Sequence, residues 1–232
     1  MSAPMSGNEN CENELDSSKL GTKPFWDDAY KEEIQNFKIN GDVGEVWFGE
    51  DTMERVVDWI NENDSVTKSS SILDIGTGNG VMLLELHALG YESLTGVDYS
   101  DGAVELAKSI AASKDAYIKF ETADILADLT CTECLALRQT YDVCVDKGTY
   151  DAISLNPNNV TECRQKYIEN VWKILNENGL LVITSCNWTK EELLNHFSKG
   201  FKFQHHIRAP TFQFGGKTGS TVTSLIFQKS QM

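Results

Sequence analysis

The chain has 232 residues, of which 41% are hydrophobic, and a formal net charge of −15; this length suits one α/β domain with a short additional segment. The acidic balance argues against binding to nucleic-acid phosphates and favours a basic protein partner, although acidity can also serve solubility alone. No apolar run of ~20 residues and no secretory signal is present, which argues against membrane association. We therefore expect a monomer in the cytoplasm, or in both the cytoplasm and the nucleus.

The N-terminal part of the chain carries much of the acidic excess, because residues 1–64 contain 16 acidic and 5 basic side chains. Residues 1–24 are rich in Ser, Asn, Glu and Gly, which predicts a disordered acidic tail. From Phe25 onward, aromatic and aliphatic residues recur at helical spacing, and a second apolar stripe follows. Residues 25–63 are therefore predicted to be a helical extension within a single domain that spans 25–232.

Strands and helices alternate regularly after the extension. Near-continuous apolar strands separated by helices predict a parallel sheet with helices on both faces. The last two strands lack a helix between them and should be antiparallel. The expected fold is α/β, a doubly wound, mostly parallel seven-stranded sheet with an antiparallel last strand, in a core spanning 71–228. The predicted strands are 71–75, 94–97, 117–120, 141–145, 180–184, 201–207 and 222–227. The predicted helices between them are 81–89, 103–112, a helix capped by Thr161 that ends at Leu175, and 190–197 with a capping box of Thr189 and Glu192.

A glycine-rich turn connects the first predicted strand to its helix, with glycines at Gly76, Gly78 and Gly80. Glycines let a ligand approach the backbone closely, and such turns lie where α/β sheets bind ligands. The spacing departs from the dinucleotide fingerprint, because the third glycine comes one position early. Asp74, at the end of the strand, would repel a pyrophosphate but suits a cationic amino acid. The turn therefore favours S-adenosylmethionine, which carries an ammonium and a sulfonium, over a nicotinamide dinucleotide.

Two further acids follow the second and third predicted strands. Asp98 can accept hydrogen bonds from both ribose hydroxyls, and Asp124 could accept one from the exocyclic amine of adenine. Aspartate also ends strands as a turn residue, so the prediction depends on the whole set. Trp47 could fold over the cofactor or pack the N-terminal helix on the sheet. The predicted cofactor-binding residues are Trp47, Asp74, Gly76, Thr77, Gly78, Gly80, Asp98, Tyr99, Asp124 and Ile125. No metal is predicted, because the pair Cys131 and Cys134 has no second pair at zinc-binding spacing.

The glycine turn, the acids Asp98 and Asp124 and the closing hairpin resemble the seven-strand (class I) methyltransferases with a Rossmann-like fold, over about residues 45–228. Four longer strings more narrowly resemble the lysine methyltransferases that modify translation elongation factor 1-alpha: Gly44–Glu50, Asp146–Ile153, Thr184–Leu193 and Phe212–Gly216. This resemblance implies S-adenosylmethionine-dependent protein-lysine N-methylation, with S-adenosylhomocysteine as product. The alternatives are a methyltransferase for another protein or a small molecule, and a non-catalytic cofactor-binding scaffold.

Methyl transfer requires the nucleophile to be aligned with the sulfonium methyl in a dry pocket. A carboxylate can hold an incoming ammonium, and aromatic side chains can desolvate it. Asp146 and Tyr150, at the end of the fourth strand, are therefore the first predicted catalytic residues, and Asn187 and Trp188 are predicted to line the same mouth. The structural alternatives are a turn acid for Asp146 and a core aromatic for Trp188.

One string argues further against a nucleic-acid substrate. Asn156-Pro157-Asn158 lacks the second proline and the aromatic residue of the motif that is typical of adenine-N6 methyltransferases. It is interpreted as a loop turn.

Overall fold

The computed structural model describes residues 15–210, 212–214, 217–219 and 222–231, without the side chains of 212–214 and 217–219. Two short 3-10 helices, Lys19–Gly21 and Ala136–Arg138, accompany the regular elements. In chain order, these elements are α1 Lys23–Asn40, α2 Glu50–Glu62, β1 Ser71–Ile75, α3 Val81–Ala88, β2 Ser93–Asp98, α4 Asp101–Ser113, β3 Lys119–Thr122, β4 Tyr141–Lys147, α5 Thr149–Ser154, α6 Val160–Ile174, β5 Leu175–Ser185, α7 Lys190–His196, β6 Phe201–Ile207, β7 Phe212–Phe214, β8 Lys217–Gly219 and β9 Thr223–Lys229.

The sheet has seven strands in the order β3-β2-β1-β4-β5-β9-β6. Strands β1 to β5 pair in parallel, whereas β9 is antiparallel to both β5 and β6. The predicted fold class is therefore confirmed, including the reversed last strand. A separate two-stranded hairpin, β7 with β8, was not predicted and lies in the glycine-rich connection before β9. Gly215 and Gly216 of that connection are outside the described residues.

Helices cover both faces of the sheet, and each face has its own apolar core. Ile72 packs in the core that contains residues of α2, α3 and α4. Its neighbour Leu73 packs in the core that contains residues of α5, α6 and α7. Successive side chains of a strand alternate between faces, so a strand covered on both sides is mainly apolar on both, as Ile72, Leu73 and Ile75 are in β1. This explains why β1 has no polar-apolar alternation.

Several element boundaries differ from the prediction. β3 begins at Lys119, and the side chain of Tyr117, which was predicted to begin this strand, is 92% exposed. α6 begins at Val160 after Asn159, which adopts a left-handed conformation, so the predicted Thr161 cap is wrong. The capping box of α7 is confirmed, because Thr189 and Glu192 exchange the expected hydrogen bonds.

The disordered tail predicted for 1–24 is wrong for its last ten residues, and residues 1–14 lie outside the described part. The backbone N–H of Ser18 donates to the Leu155 carbonyl at 3.0 Å. α1 then packs on α4 through a small apolar cluster around Ile34. Across the described ranges, no helix has the length and apolar character to cross a membrane.

Candidate active site

A cavity of about 640 Å³ lies at the carboxyl ends of the parallel strands. Its walls come from the segments that follow β1, β2, β3, β4 and β5, together with the N-terminal part of the chain. The strand order reverses between β1 and β4, and α/β sheets bind ligands at such a switch point. The cavity is therefore the candidate site.

The turn after β1 forms the floor of the cavity. The N–H groups of Gly76 and Thr77 both donate to the Val97 carbonyl, at 2.8 and 2.9 Å, which fixes the turn against β2. Gly76 has a φ of 71°, and a Cβ there would collide with the side chain of Thr149. A glycine is thus required for both conformation and space. Behind the turn, the Thr77 hydroxyl donates to the carboxylate of Asp74 at 2.8 Å.

Asp98 ends β2 and lines the cavity beside this turn. One carboxylate oxygen accepts the N–H of Gly78 at 3.1 Å, and the other accepts the N–H of Ser100 at 2.9 Å. Burial raises the pKa of Asp98 to about 6, while these two N–H groups lower it and the charge of Asp74 raises it. Each oxygen keeps a further lone pair for a ligand hydroxyl.

The segment after β3 continues the same wall. Asp124 lines the cavity and accepts the N–H of Leu126 at 2.8 Å. Ile125 is buried and adds an apolar surface beside it. Tyr99 lines the cavity from the end of β2, and its burial raises the pKa of its hydroxyl. The predicted cofactor residues of these two loops therefore converge.

Residues Val43–Phe48, which we call the strap, connect the N-terminal helices to the site. The side-chain amide of Asn79, in the glycine turn, donates to the Val43 carbonyl at 3.1 Å. The ammonium of Lys147, at the end of β4, donates to the Trp47 carbonyl at 2.9 Å. The strap is thus tied to two neighbouring strand ends and places Trp47 and Phe48 in the cavity wall.

An aromatic group from α1 completes this wall. Trp26 contacts Trp47 with ring centroids 5.0 Å apart and Tyr30 with centroids 6.2 Å apart. A Cβ added to Gly78 would meet the Tyr30 hydroxyl, so α1 lies directly against the glycine turn. Trp47 packs on α1, which is the structural alternative, and it also lines the cavity, so its contact with the cofactor stays a prediction. Sequence reasoning missed Trp26 and Tyr30 as site residues, since helical spacing indicates only that a face is buried.

The ends of β4 and β5 form the opposite wall, with Lys147, Asp151, Cys186 and Asn187. The Asp151 carboxylate accepts the Ser185 hydroxyl at 2.5 Å and the Cys186 N–H at 2.8 Å. Burial lowers the pKa of Lys147, whereas Asp74 and Asp146 raise it. Asn187 was predicted to line the cavity, while Lys147 and Asp151 were not.

Comparison with known proteins identifies the family. Residues 66–229 match the family described as a methyltransferase domain. The chain is 46% identical to "EEF1A lysine methyltransferase 2" of Danio rerio, over 92% of this chain and 89% of the relative. It is 38% identical to "Protein-lysine N-methyltransferase EFM4" of Saccharomyces cerevisiae, over 93% and 97%. The chain belongs to this family of protein-lysine methyltransferases. Both resemblances drawn from the sequence are therefore confirmed.

A solved structure supports the fold independently. The N-methyltransferase NodS of Bradyrhizobium japonicum superposes with a TM-score of 0.61 at 17% identity, covering 89% of this chain and 99% of that chain. This chain accordingly has the Rossmann-like class I fold, as predicted.

Within this methyltransferase fold, Asp146 does not line the cavity. It is fully buried and accepts hydrogen bonds from the N–H groups of Thr149 and Tyr150 and from the Tyr167 hydroxyl. Burial raises the pKa of Asp146 to about 7, although the Tyr167 hydroxyl lowers it and the charge of Asp151 raises it. Its carboxylate holds the first turn of α5 on α6, so Asp146 does not lie in the cavity wall where it was expected, and its catalytic role stays a prediction.

Tyr150 and Trp188 also belong to the core, and their predicted place at the mouth is wrong. The Tyr150 hydroxyl lies 3.0 Å from Nδ1 of His196. The Trp188 indole N–H donates to the Ser154 hydroxyl at 3.2 Å, and its ring packs edge-on against His196. The structural alternative weighed for Trp188 is the one observed.

Asp74 and Gly80, which were predicted to bind the cofactor, support the glycine turn from behind and do not line the cavity. Gly80 caps α3 with a φ of 74°, and a Cβ there would meet the Phe120 ring. Burial raises the pKa of Asp74 to about 6, while Thr77 and Lys147 lower it. Asn156, Pro157 and Asn158 form a loop, as interpreted, but this loop lines the cavity, which was not predicted.

The charges of the lining fit a cationic nucleoside better than a dinucleotide. Its acidic residues outnumber its basic ones; they are Glu45, Asp98, Asp124 and Asp151, against Lys23 and Lys147. Such a lining repels phosphates and attracts positive groups. Among the described residues, no cluster of three or more His, Cys, Asp or Glu side chains is arranged to hold a metal ion.

Proposed function

We propose that this enzyme transfers a methyl group from S-adenosylmethionine to a lysine of translation elongation factor 1-alpha. The carrying observation is the likeness, over about nine-tenths of the chain, to relatives named as EEF1A lysine methyltransferases. The acidic cavity at the strand ends supports the choice of methyl donor. We propose the cytoplasm as the place of reaction, where a basic protein partner would meet the acidic surface.

The residues of the cavity divide between the parts of the donor. The backbone from Gly76 to Asn79 would lie against its amino-acid part, where the glycines leave room. Asp98 would accept hydrogen bonds from the ribose hydroxyls, and Asp124 from the adenine amine. When bound, S-adenosylmethionine supplies an electrophilic methyl group on a sulfonium.

The protein's own task is to align a lysine amine and keep water out. A lysine with a pKa near 10.4 is neutral in only roughly one molecule in a thousand at pH 7.4. Desolvation in an aromatic pocket lowers that pKa and raises the neutral fraction. Trp26 and Trp47, which contact each other beside the glycine turn, would supply the aromatic wall.

Incorporation of label into a lysate tests the proposal. Purified enzyme and radiolabelled S-adenosylmethionine are added to a lysate of cells lacking this enzyme, and the proteins are resolved by mass. One labelled protein of the mass of elongation factor 1-alpha is expected, and replacing its lysines one by one with arginine should abolish the label at a single position. Label elsewhere would overturn the substrate. Absence of any label, with cofactor binding intact, would favour the scaffold alternative.

A further inference from the structure

The carboxylate of Asp151 has no part in the donor site described above. Of the four acids that line the cavity, Asp98 and Asp124 lie at the ends of β2 and β3, and Glu45 is exposed on the strap. Asp151 lies on the other side of β1, on the wall formed by the ends of β4 and β5. It is 5% exposed, so its charge is largely removed from bulk water.

Asp151 is held rigidly, but only by neutral groups. Its two oxygens accept the Ser185 hydroxyl and the Cys186 N–H, which fixes the orientation of the carboxylate against the end of β5. Burial raises the pKa of Asp151, and hydrogen bonds from the Ser185 hydroxyl, from Cys186 and from the Asn187 N–H lower it. None of these donors carries a charge, so they orient the carboxylate without neutralising it.

No cation of the described chain neutralises this carboxylate. The ion pairs among the described residues join other side chains, and none includes Asp151. The cation on the same wall, Lys147, donates to the Trp47 carbonyl, and its electrostatic partners are Asp74 and Asp146. Buried carboxylates are normally paired because an isolated buried charge is costly. Asp151 is thus a fixed, buried carboxylate in the cavity wall that forms no ion pair with a described residue.

We infer that Asp151 is the residue that receives the ammonium of the target lysine and orients its nitrogen, with Asn187 beside it at the end of β5. This inference rests on the proposed function, because it assumes a lysine substrate. It assigns to Asp151 the role that the sequence suggested for Asp146, five residues earlier. Asp151 is a binding residue here; the lysine amine is the nucleophile.

Binding of substrate without turnover isolates this contact. Wild-type enzyme and Asp151→Asn are each saturated with S-adenosylhomocysteine and titrated by calorimetry with the substrate protein identified in the lysate experiment. The substrate is used with its target lysine intact and with that lysine replaced by methionine. The wild type is expected to bind the lysine form at least tenfold more tightly, and Asp151→Asn to bind both forms within about twofold. Comparing the affinities of the four enzyme–substrate combinations isolates the contact between Asp151 and the target lysine, because effects that each substitution has on its own cancel.

Controls separate this role from a structural one. Asp142→Asn changes a carboxylate at the other end of β4 that also accepts the N–H of a neighbouring residue, Ser71, at 2.8 Å, and it should keep the full preference for lysine. The affinity of Asp151→Asn for S-adenosylhomocysteine alone should equal that of the wild type, because the donor site lies on the other wall. In turnover, its KM for the protein should rise while its KM for the methyl donor stays the same.

Two outcomes overturn the inference. The first is an Asp151→Asn enzyme that keeps the tenfold preference for the lysine form. The second needs no variant: a wild-type enzyme that binds the lysine and methionine forms equally well has no ammonium-specific contact, and this result decides the matter even if Asp151→Asn fails to fold. Failure of the proposed function would appear earlier and differently, as an absence of label on any lysine of the substrate protein.

Discussion

The carboxylate of Asp98 has a structural role in the glycine turn, and we propose that it also binds the ribose of the methyl donor. It holds the glycine turn through the N–H of Gly78 and the start of α4 through the N–H of Ser100. Both donors come from the backbone, so the carboxylate keeps its position when a ligand leaves. Its raised pKa of about 6 reflects the cost of burial without a paired cation. A ligand that donates two hydroxyl groups would relieve part of this cost.

Replacement of the Asp98 carboxylate should weaken cofactor binding and leave the fold intact. Asp98→Ala removes a charged acceptor, and hydrogen bonds to charged groups contribute about 1.5–3 kcal/mol. The affinity for S-adenosylhomocysteine, measured by calorimetry, should therefore fall by a factor of about 10 to 150. Asp98→Asn, which keeps one acceptor oxygen for the turn, should lose less. An unchanged affinity in Asp98→Ala, with a native circular dichroism spectrum, would show that this carboxylate does not bind the ribose.

Asp146 and Tyr167 form a buried pair whose contribution depends on pH. The pKa of Asp146 in the fold is raised to about 7 from 3.8. A carboxyl whose pKa rises on folding binds more protons in the folded state, so its ionisation costs stability as the pH increases from about 4 to about 7. Above that range the ionised carboxylate depends on the Tyr167 hydroxyl and on two backbone N–H groups.

Tyr167→Phe removes that hydroxyl and keeps the ring. The free energy of unfolding, measured in urea, should fall by about 1.5–3 kcal/mol at pH 8, because a hydrogen bond to a charged group is lost. At pH 5.5, where Asp146 is protonated, the loss should be distinctly smaller. The affinity for S-adenosylhomocysteine should not change, since neither residue lines the cavity. An equal loss at both values of pH would indicate that Asp146 does not change its protonation state between pH 5.5 and pH 8.

At the scale of elements, the strands of the sheet could be predicted, but the directions in which the side chains at the end of β4 point could not. Apolar runs and intervening helices indicate the strands, and the glycine turn fixes which strand ends meet the ligand. However, neighbouring side chains of a strand lie on opposite faces, and a shift of one residue exchanges them. In β4, Asp146 lies on the side of Tyr167, whereas Lys147 lines the cavity. The sequence contains no signal that decides between these two residues, because both are polar and end the same strand.

The N-terminal segment was predicted less well because its order comes from long-range contacts. Its composition resembles that of a disordered tail, but the Ser18 N–H binds the Leu155 carbonyl, and the Trp26 indole N–H donates to the Leu20 carbonyl at 2.7 Å. Gly21 approaches the backbone of Leu155 so closely that a Cβ would collide with it. A window of local composition does not report a contact with a residue more than 130 positions away. Consequently, the part of the cavity wall that this segment forms was missed.

A further prediction concerns Asn79, whose side chain holds the strap against the glycine turn. Asn79 donates from its side-chain nitrogen to the Val43 and Glu45 carbonyls, and its side-chain oxygen accepts the N–H of Val81. Asn79→Asp keeps the shape and the acceptor but places a carboxylate against two carbonyl oxygens. The strap should detach locally, so amide hydrogen exchange in residues 43–48 should accelerate by at least tenfold and S-adenosylhomocysteine should dissociate faster. Unchanged exchange in this segment would show that Asn79 does not hold the strap.

At the scale of the whole molecule, the acidic excess is largely uncompensated. The ion pairs among the described residues are Lys23 with Asp27, Lys31 with Asp28, and Lys38 with Glu105, all on exposed or half-exposed side chains. Pairs of this kind contribute only about 0–1 kcal/mol to stability. The net charge of −15 therefore has its main consequence outside the protein, in the field that an approaching partner meets.

This field should make recognition of the protein substrate depend on salt. The Debye length falls from about 10 Å at 0.1 M salt to a few Å at higher concentrations, and attraction to a basic partner falls with it. The KM for the protein substrate should rise several-fold between 0.05 and 0.5 M salt, whereas the affinity for S-adenosylhomocysteine, which depends on short contacts in the cavity, should change little.

The exposed acids of α1 lie on the helix that helps to form the cavity, so Asp28→Asn combined with Glu32→Gln should reduce the salt dependence of this KM. Glu92→Gln should not reduce the salt dependence, because this exposed residue lies next to the amino end of β2, at the end of the sheet away from the cavity. A KM that does not respond to salt or to the α1 substitutions would mean that the acidity serves solubility alone.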